Sequence, residues 1–173
     1  VQRNIETLKG YGYEFISPAS GYLACGDVGE GKLADINTIV ERVVMAVSEK
    51  DLSGKKIVIT AGPTREALDP VRFLTNHSTG KMGYAIAERA AARGADVTLV
   101  SGPVSIEPPA GVNVINIESA EEMFNAVTKE AEPANIIIKA AAVADYRPVS
   151  VSGEKIKKED GMNVIQLERT KDI

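Results

Sequence analysis

Lys56-Ile57-Val58-Ile59-Thr60-Ala61-Gly62-Pro63-Thr64, continuing from Arg65 to Tyr84 as REALDPVRFLTNHSTGKMGY, is the stretch whose reading decides the fold. Ile57 to Ala61 reads as a buried strand. Gly62-Pro63-Thr64 is a turn. A polar excursion through Arg65, Asp69, Arg72, Asn76 and His77 follows, and it closes on Ser78-Thr79-Gly80-Lys81-Met82-Gly83, where a helical pattern begins. An open α/β sheet holds its ligand at such a strand end, polar loop and helix start. The free N–H groups and positive dipole end of the first helical turn suit an anion. Ser78 or Thr79 is expected to cap the helix, with a hydroxyl facing a phosphate. Two familiar templates fail. A P-loop needs a glycine where Thr75 stands and a Ser or Thr where Met82 stands. A dinucleotide fingerprint needs G-x-G-x-x-G directly after the strand, and Gly62-Pro63-Thr64 breaks it. The residues alone give a phosphate or nucleotide at a strand-to-helix turn, against an ordinary turn with a capped helix.

Outward from this stretch the pattern repeats. Met82, Ala85, Ile86 and Ala90 predict a helix stopping at Gly94, whose alanines (Ala85, Ala87, Ala90 to Ala92) let it approach a sheet closely. Asp96 to Ser101 is a second strand; Val112, Val114, Ile115 and Ile117 make a third. Ser119 and Glu122 have the capping-box spacing, and Met123, Ala126, Val127 and Ala131 supply that helix's core face. Asn135 to Val143 is a fourth strand, apolar on both faces as parallel strands are. Val164 to Leu167 is a further, more polar one. This alternation predicts an α/β fold with a doubly wound, mostly parallel, Rossmann-like sheet. Ligand-binding strand ends then fall at Gly62-Pro63-Thr64 and at Ala140 to Asp145.

Composition narrows the classes. The chain has 173 residues, 44% hydrophobic and 25% charged, as a globular domain or slightly more requires. A net charge of −4, 5% aromatics and no Trp argue against nucleic acid. One cysteine excludes an internal disulfide and makes a reducing compartment the default. No apolar run reaches membrane-spanning length, so no membrane partner and a soluble, cytoplasmic protein are expected.

The N-terminal third reads differently. Val1, Ile5 and Leu8 share a helical face that Gly10 ends, and Tyr13 to Ile16 is a candidate short strand. Residues 17–32 hold four glycines and a proline and read as a long loop carrying Cys25. Cys25 is either an apolar filler or a functional thiol. Asp35 is the expected N-cap of a helix whose stripe is Ile36, Ile39, Val40, Val43, Val44 and Val47. Residues 48–55 read as a linker. Both ends look cut, so a fragment of something longer is expected.

Ala141 to Pro148 follows the fourth strand, with small side chains against which a flat ring or ribose can lie and Asp145 as an acceptor for ribose hydroxyls or a metal partner. Asp145 as a mere loop cap is the alternative. Lys155-Ile156-Lys157-Lys158 is either solvated surface or a triphosphate-neutralising run. His77 has no identifiable partner and reads as a loop residue helping shape the site. No metal-ligand cluster and no nucleophile signature stand in the sequence.

The segments ITAGPTREALDPVRFLTNHSTGKMGYAIA, AAAVADYRP and KIKK resemble the phosphopantothenoylcysteine synthetase half of the bifunctional coenzyme A biosynthesis family. PASGYLACGDVGEGKL resembles the end of its flavin-dependent phosphopantothenoylcysteine decarboxylase half. The resemblance implies a division into residues 1–47, the C-terminal end of a flavodoxin-like decarboxylase domain, a linker at 48–55, and 56–173, an incomplete CTP-binding ligase domain. It implies CTP-dependent joining of 4′-phosphopantothenate to cysteine through an acyl-cytidylate, with Mg2+, and FMN in the decarboxylase part of the parent. It also implies homo-oligomers, a ligase dimer and a trimer-based decarboxylase assembly. By the same resemblance Asn76 serves turnover of the acyl-cytidylate and Arg72 holds the phosphopantothenate side. Gly62, Ser78, Lys139, Ala140, Ala141, Asp145 and Lys155 form the nucleotide-binding set, Lys155 also acting in catalysis. Cys25 resembles the decarboxylase thiol that protonates an ene-thiol intermediate. The flavin-binding body and the later CTP-binding residues of the family have no counterpart in this sequence, so little turnover is expected of this chain alone. Two other classes stay open: a nicotinamide-dependent oxidoreductase, disfavoured by the broken glycine fingerprint, and a non-catalytic assembly module.

Overall fold

A computed structural model describes residues 1–157 and 164–173. The chain forms two compact units, Val1–Val47 and Ser48–Ile173.

In the first unit, helix α1 (Gln2–Gly10) and helix α2 (Ile36–Val47) bracket strands β1 (Ala19–Tyr22) and β2 (Val28–Lys32). The strands pair antiparallel. The long loop expected over residues 17–32 is therefore a hairpin, turned at Ala24 to Asp27, with Leu23 N–H donating to the Asp27 carbonyl at 2.8 Å. The glycines hid it: a two-stranded ribbon with no fully buried residue needs no apolar alternation, only paired backbone groups. The strand expected at Tyr13 to Ile16 does not form. Asp35 caps α2 as expected, its Oδ1 accepting from Asn37 N–H at 2.9 Å.

The second unit is built on a four-stranded parallel sheet in the order β7-β6-β3-β8, from β7 (Val112–Asn116), β6 (Asp96–Ser101), β3 (Lys56–Ala61) and β8 (Ile136–Lys139). Chain order reverses beside β3, the position at which doubly wound sheets open a crevice. Helix α3 (Lys81–Ala92) packs on one face with Ile57, Ile59 and Leu99; helix α4 (Ala120–Ala131) packs on the other, Met123 and Val127 against Val58 and Val100. Ser119 caps α4 by accepting from Glu122 N–H, while the Glu122 carboxylate reaches Glu118 N–H rather than closing the box on Ser119. Residues 48–55 are tied into this unit: Leu52 joins the core, and Lys50 donates to the Ala92 carbonyl at 2.8 Å.

Two short antiparallel pairs stand outside the sheet. β4 (Arg65–Ala67) pairs with β5 (Phe73–Thr75) inside the polar excursion, and β9 (Tyr146–Pro148) pairs with β10 (Leu167–Arg169). The strand expected at Val164 to Leu167 is thus displaced to Leu167–Arg169. No helix among the described residues is long and apolar enough to cross a membrane.

Candidate functional site

The carboxyl end of β3 is built by glycines. Gly62 turns the chain at φ 76° and Gly80 starts α3 at φ 74°, both left-handed conformations that side chains disfavour. Gly83 brings α3 onto the strand: a Cβ there would stand 2.5 Å from the Ala61 Cβ. The N-cap of α3 is therefore Gly80, with no side-chain cap, which corrects the expectation for Ser78 or Thr79. Ser78 Oγ instead accepts weakly from Gly80 N–H at 3.4 Å. The buried face of α3 runs through Gly83, Tyr84, Ala87, Ala90 and Ala91, whereas Met82, expected inside, is exposed.

Buried hydroxyls join this end to the end of β8. Thr60 Oγ1 accepts from the N–H groups of Ala140 and Ala141 at 3.1 and 3.2 Å. Thr64 Oγ1 accepts from Ala144 N–H at 2.9 Å. Ala142 N–H donates to the Gly62 carbonyl at 2.9 Å. The Ala140 and Ala141 N–H groups thus point inward, leaving carbonyls and methyl groups for any ligand at that strand end. Asn76 crosses over the same segment, its Nδ2 donating to the carbonyls of Ala142 and Val143 at 3.3 and 2.9 Å. Two carbonyls fix the amide's orientation, so Oδ1 faces away as an acceptor. Asp145 follows, exposed, and lines a cavity of about 360 Å³ with Tyr146, Arg169, Thr170 and Asp172. Thr170 N–H donates to the Asp145 carbonyl, and Thr170 Oγ1 to the Ala144 carbonyl, which holds β10 beside this strand end.

The loop between β4 and β5 carries Arg72. Its guanidinium donates through Nε and Nη2 to Asp69 Oδ2, at 2.9 and 2.5 Å, and through Nη2 to the Ile156 carbonyl at 3.0 Å. The Arg72 guanidinium, helped by the N–H groups of Val71, Ile156 and Arg72, holds the Asp69 carboxyl far below its ordinary value of 3.8 although burial opposes this. Lys155 and Lys157 are exposed on either side of Ile156. Lys158 lies outside the described residues. The loop is also fastened to α4, where the buried Glu66 carboxylate accepts from Ala120 N–H at 2.8 Å. On the far side, Arg147 bridges Glu168 and Glu121, whose carboxylates push its pKa above the ordinary arginine value.

The structure thus brings Gly62 and Asn76 to the Ala140–Asp145 segment, and Arg72 to the Lys155 segment. Lys139 is exposed, with Nζ donating to the Ile173 carbonyl at 2.6 Å. His77 is exposed on the loop. Cys25 belongs to the other unit, exposed at the hairpin turn with Sγ 3.9 Å from Asp27 Oδ2. Sequence reading passed over Thr60, Thr64 and Glu66 and gave Asp69 no role. A buried hydroxyl in an apolar strand and an Asp-Pro ahead of Val71-Arg72 were the available signals. No group of three or more His, Cys, Asp or Glu able to hold a metal gathers among the described residues.

Residues 52–173 match the family model described as the DNA/pantothenate metabolism flavoprotein C-terminal domain, and residues 1–48 match the model described as flavoprotein. The chain is 50% identical over 170 residues to the coenzyme A biosynthesis bifunctional protein CoaBC of Vibrio vulnificus strain YJ016, covering 98% of this chain and 42% of that protein. It is 51% identical over 177 residues to the CoaBC protein of Bacillus subtilis strain 168, covering 100% of this chain and 44% of that protein. It therefore spans less than half the length of these relatives. A crystal structure of the C-terminal domain of a CoaBC protein superposes with a TM-score of 0.63 at 52% identity, over 72% of this chain and 58% of the other. By its match over residues 52–173, this chain belongs to the family of the DNA/pantothenate metabolism flavoprotein C-terminal domain.

Proposed function

We propose that residues 48–173 carry the CTP-binding part of a ligase that joins 4′-phosphopantothenate to cysteine in coenzyme A biosynthesis, within a parent that also decarboxylates the product with FMN. The observation that carries this reading is the contact of Asn76 with the carbonyls of Ala142 and Val143. It brings the two longest motifs of the ligase resemblance to one strand end, where a doubly wound sheet receives nucleotides.

The chemistry follows in two steps. The carboxylate oxygen of 4′-phosphopantothenate attacks the α-phosphorus of CTP, the bond to pyrophosphate breaks, and an acyl-cytidylate forms. The cysteine amine then attacks the acyl carbon, CMP leaves, and the amine loses a proton. Charge neutralisation is the main requirement of the first step. Lys155 is suited to follow the triphosphate and Arg72 to hold the acid substrate, with Ser78 at the helix start facing phosphate. Gly62, Ala140 and Ala141 supply a close-approach floor of carbonyls and methyl groups, with Lys139 at its margin and Asp145 beyond it for the ribose. Asn76 Oδ1, an acceptor, suits the N–H of the attacking amine. Mg2+ enters with the nucleotide, since it is usually held by phosphates and one or two carboxylates. In residues 1–47, Cys25 is exposed at the hairpin turn, with Tyr22 and Val28 exposed on the strands that flank it.

Thermal unfolding of the 173-residue chain tests the reading. CTP with Mg2+ at about a hundred times its Kd is expected to stabilise the fold by roughly 2.7 kcal/mol, a rise of several degrees. ATP and NADPH are expected to do less. Stabilisation by NADPH and not by CTP would favour an oxidoreductase, and no shift with any nucleotide would remove the reading for this chain.

A further inference from the structure

Asp69 stands on an exposed, polar loop, yet its side chain is 0% exposed. Its two oxygens do different work. Oδ1 accepts from Val71 N–H and Arg72 N–H, both at 2.8 Å, which closes a local turn after Pro70. Oδ2 accepts from Arg72 Nε and Nη2 and, from 87 residues away, from Ile156 N–H at 3.1 Å. Arg72 Nη2 donates in turn to the Ile156 carbonyl. Both backbone groups of Ile156 are therefore gripped by the Asp69–Arg72 pair. A second bond, Ser152 N–H to the Leu68 carbonyl at 3.0 Å, runs beside it. Turn formation needs only Oδ1. Oδ2 is committed to joining the arginine with the backbone between Lys155 and Lys157. It also takes up the Nε edge of Arg72, so the two Nη1 hydrogens, which meet no acceptor among the described residues, remain for an anion.

We propose that Asp69 is a positioning residue: its buried carboxylate holds Arg72 and the Lys155–Lys157 backbone as one unit, so that an anion gripped by Arg72 orders Lys155, and the reverse. The roles of Arg72 at the acid substrate and Lys155 at the triphosphate rest on the ligase reading above. The tether does not. A charged carboxylate accepting from a guanidinium and an amide makes strong bonds, and Asn in its place keeps the shape while losing the charge and one acceptor. Through this unit, loss of Asp69 reaches a nucleotide that Asp69 does not touch.

Amide hydrogen exchange and calorimetric titration with Mg·CTP on the whole 173-residue chain test this. In Asp69→Asn, exchange at the Ile156 amide is expected to rise about tenfold or more, with the Ile59 and Leu99 amides at their native rates. Ile156 exchange within about twofold of native would overturn the tether, and an equal rise at Ile59 and Leu99 would reduce Asp69 to a general stabiliser. In titration, Asp69→Asn and Arg72→Ala are each expected to weaken Mg·CTP binding about threefold to tenfold, and the double variant no further. In a Lys155→Ala background both effects should vanish; if they persist, Asp69 does not act through Lys155 and the proposal fails. If the native chain binds no Mg·CTP, the ligase role of Lys155 falls, while exchange still decides the tether. Should Asp69→Asn not fold, Arg72→Ala carries the same exchange test, with a rise of about threefold or more at Ile156 expected and an unchanged rate overturning the tether.

Discussion

Helices α2 and α4 both have twelve residues and a regular apolar stripe, yet only one of them is buried. Met123 and Val127 of α4 meet Val58 and Val100 of the sheet. No residue of α2 is buried, and Ile36, Val43 and Val47 are 70%, 54% and 79% exposed. The same contrast separates Val1–Val47 from Ser48–Ile173 as units: one has secondary structure without a core, the other a closed core around Ile59, Leu99 and Met123. Periodicity specifies a face. It does not supply the surface that the face is to cover, and most helix stability comes from that surface.

The contrast can be attacked by substitution. Leu99→Ala, at a fully buried position in β6, is expected to destabilise Ser48–Ile173 by about 2–5 kcal/mol in urea unfolding. Thr60→Val keeps shape but leaves the Ala140 and Ala141 N–H groups without their acceptor, so a loss of about 1–3 kcal/mol is expected, with the strand end disturbed first in hydrogen exchange. Acid titration probes the loop that carries Arg72. The folded pKa of Asp69 lies below its unfolded value, so its stabilisation is complete above about pH 4 and is lost as pH falls through the folded value. Asp69→Asn should therefore show a shallower loss of stability than the native chain on acidification below about pH 4. The smallest effect belongs to α2: Val43→Ala is expected to stay within about 0.5 kcal/mol. A cost at Val43 approaching that at Leu99 would break the contrast, because it would mean that the α2 stripe is covered after all.

The parallel strands were legible because strands covered on both faces read as unbroken apolar runs, as at Ile57-Val58-Ile59 and Ile136-Ile137-Ile138. The α4 start was legible in Ser119 and Glu122, since a cap is a local bond between neighbours. The β1–β2 hairpin, β4, β5 and β9 were not legible. They are short, most of their residues are not buried, and backbone pairing holds them without an apolar signal. The Gly80 cap escaped because Ser78 and Thr79 carry the better local signal, while the close approach of α3 to Ala61 is a tertiary requirement. Within the site, Asp145 stood out as a polar group at an expected strand end, while Asn76 and Arg72 stood in the polar excursion and took their roles from the family resemblance. Thr60 and Thr64 did not stand out, because a hydroxyl in an apolar stretch shows its partner only when the other strand is in place.

The sequence by itself determined the sheet, the helices against it and the strand ends at which polar groups collect, since each rests on local pattern and on burial that composition makes obligatory. Only the tertiary structure decided which polar groups meet. Asp69 finds Ile156 across 87 residues, and Asn76 finds Val143 across 67. Hydrogen bonds of that span are set by the packing of the elements that carry them, which no local periodicity encodes.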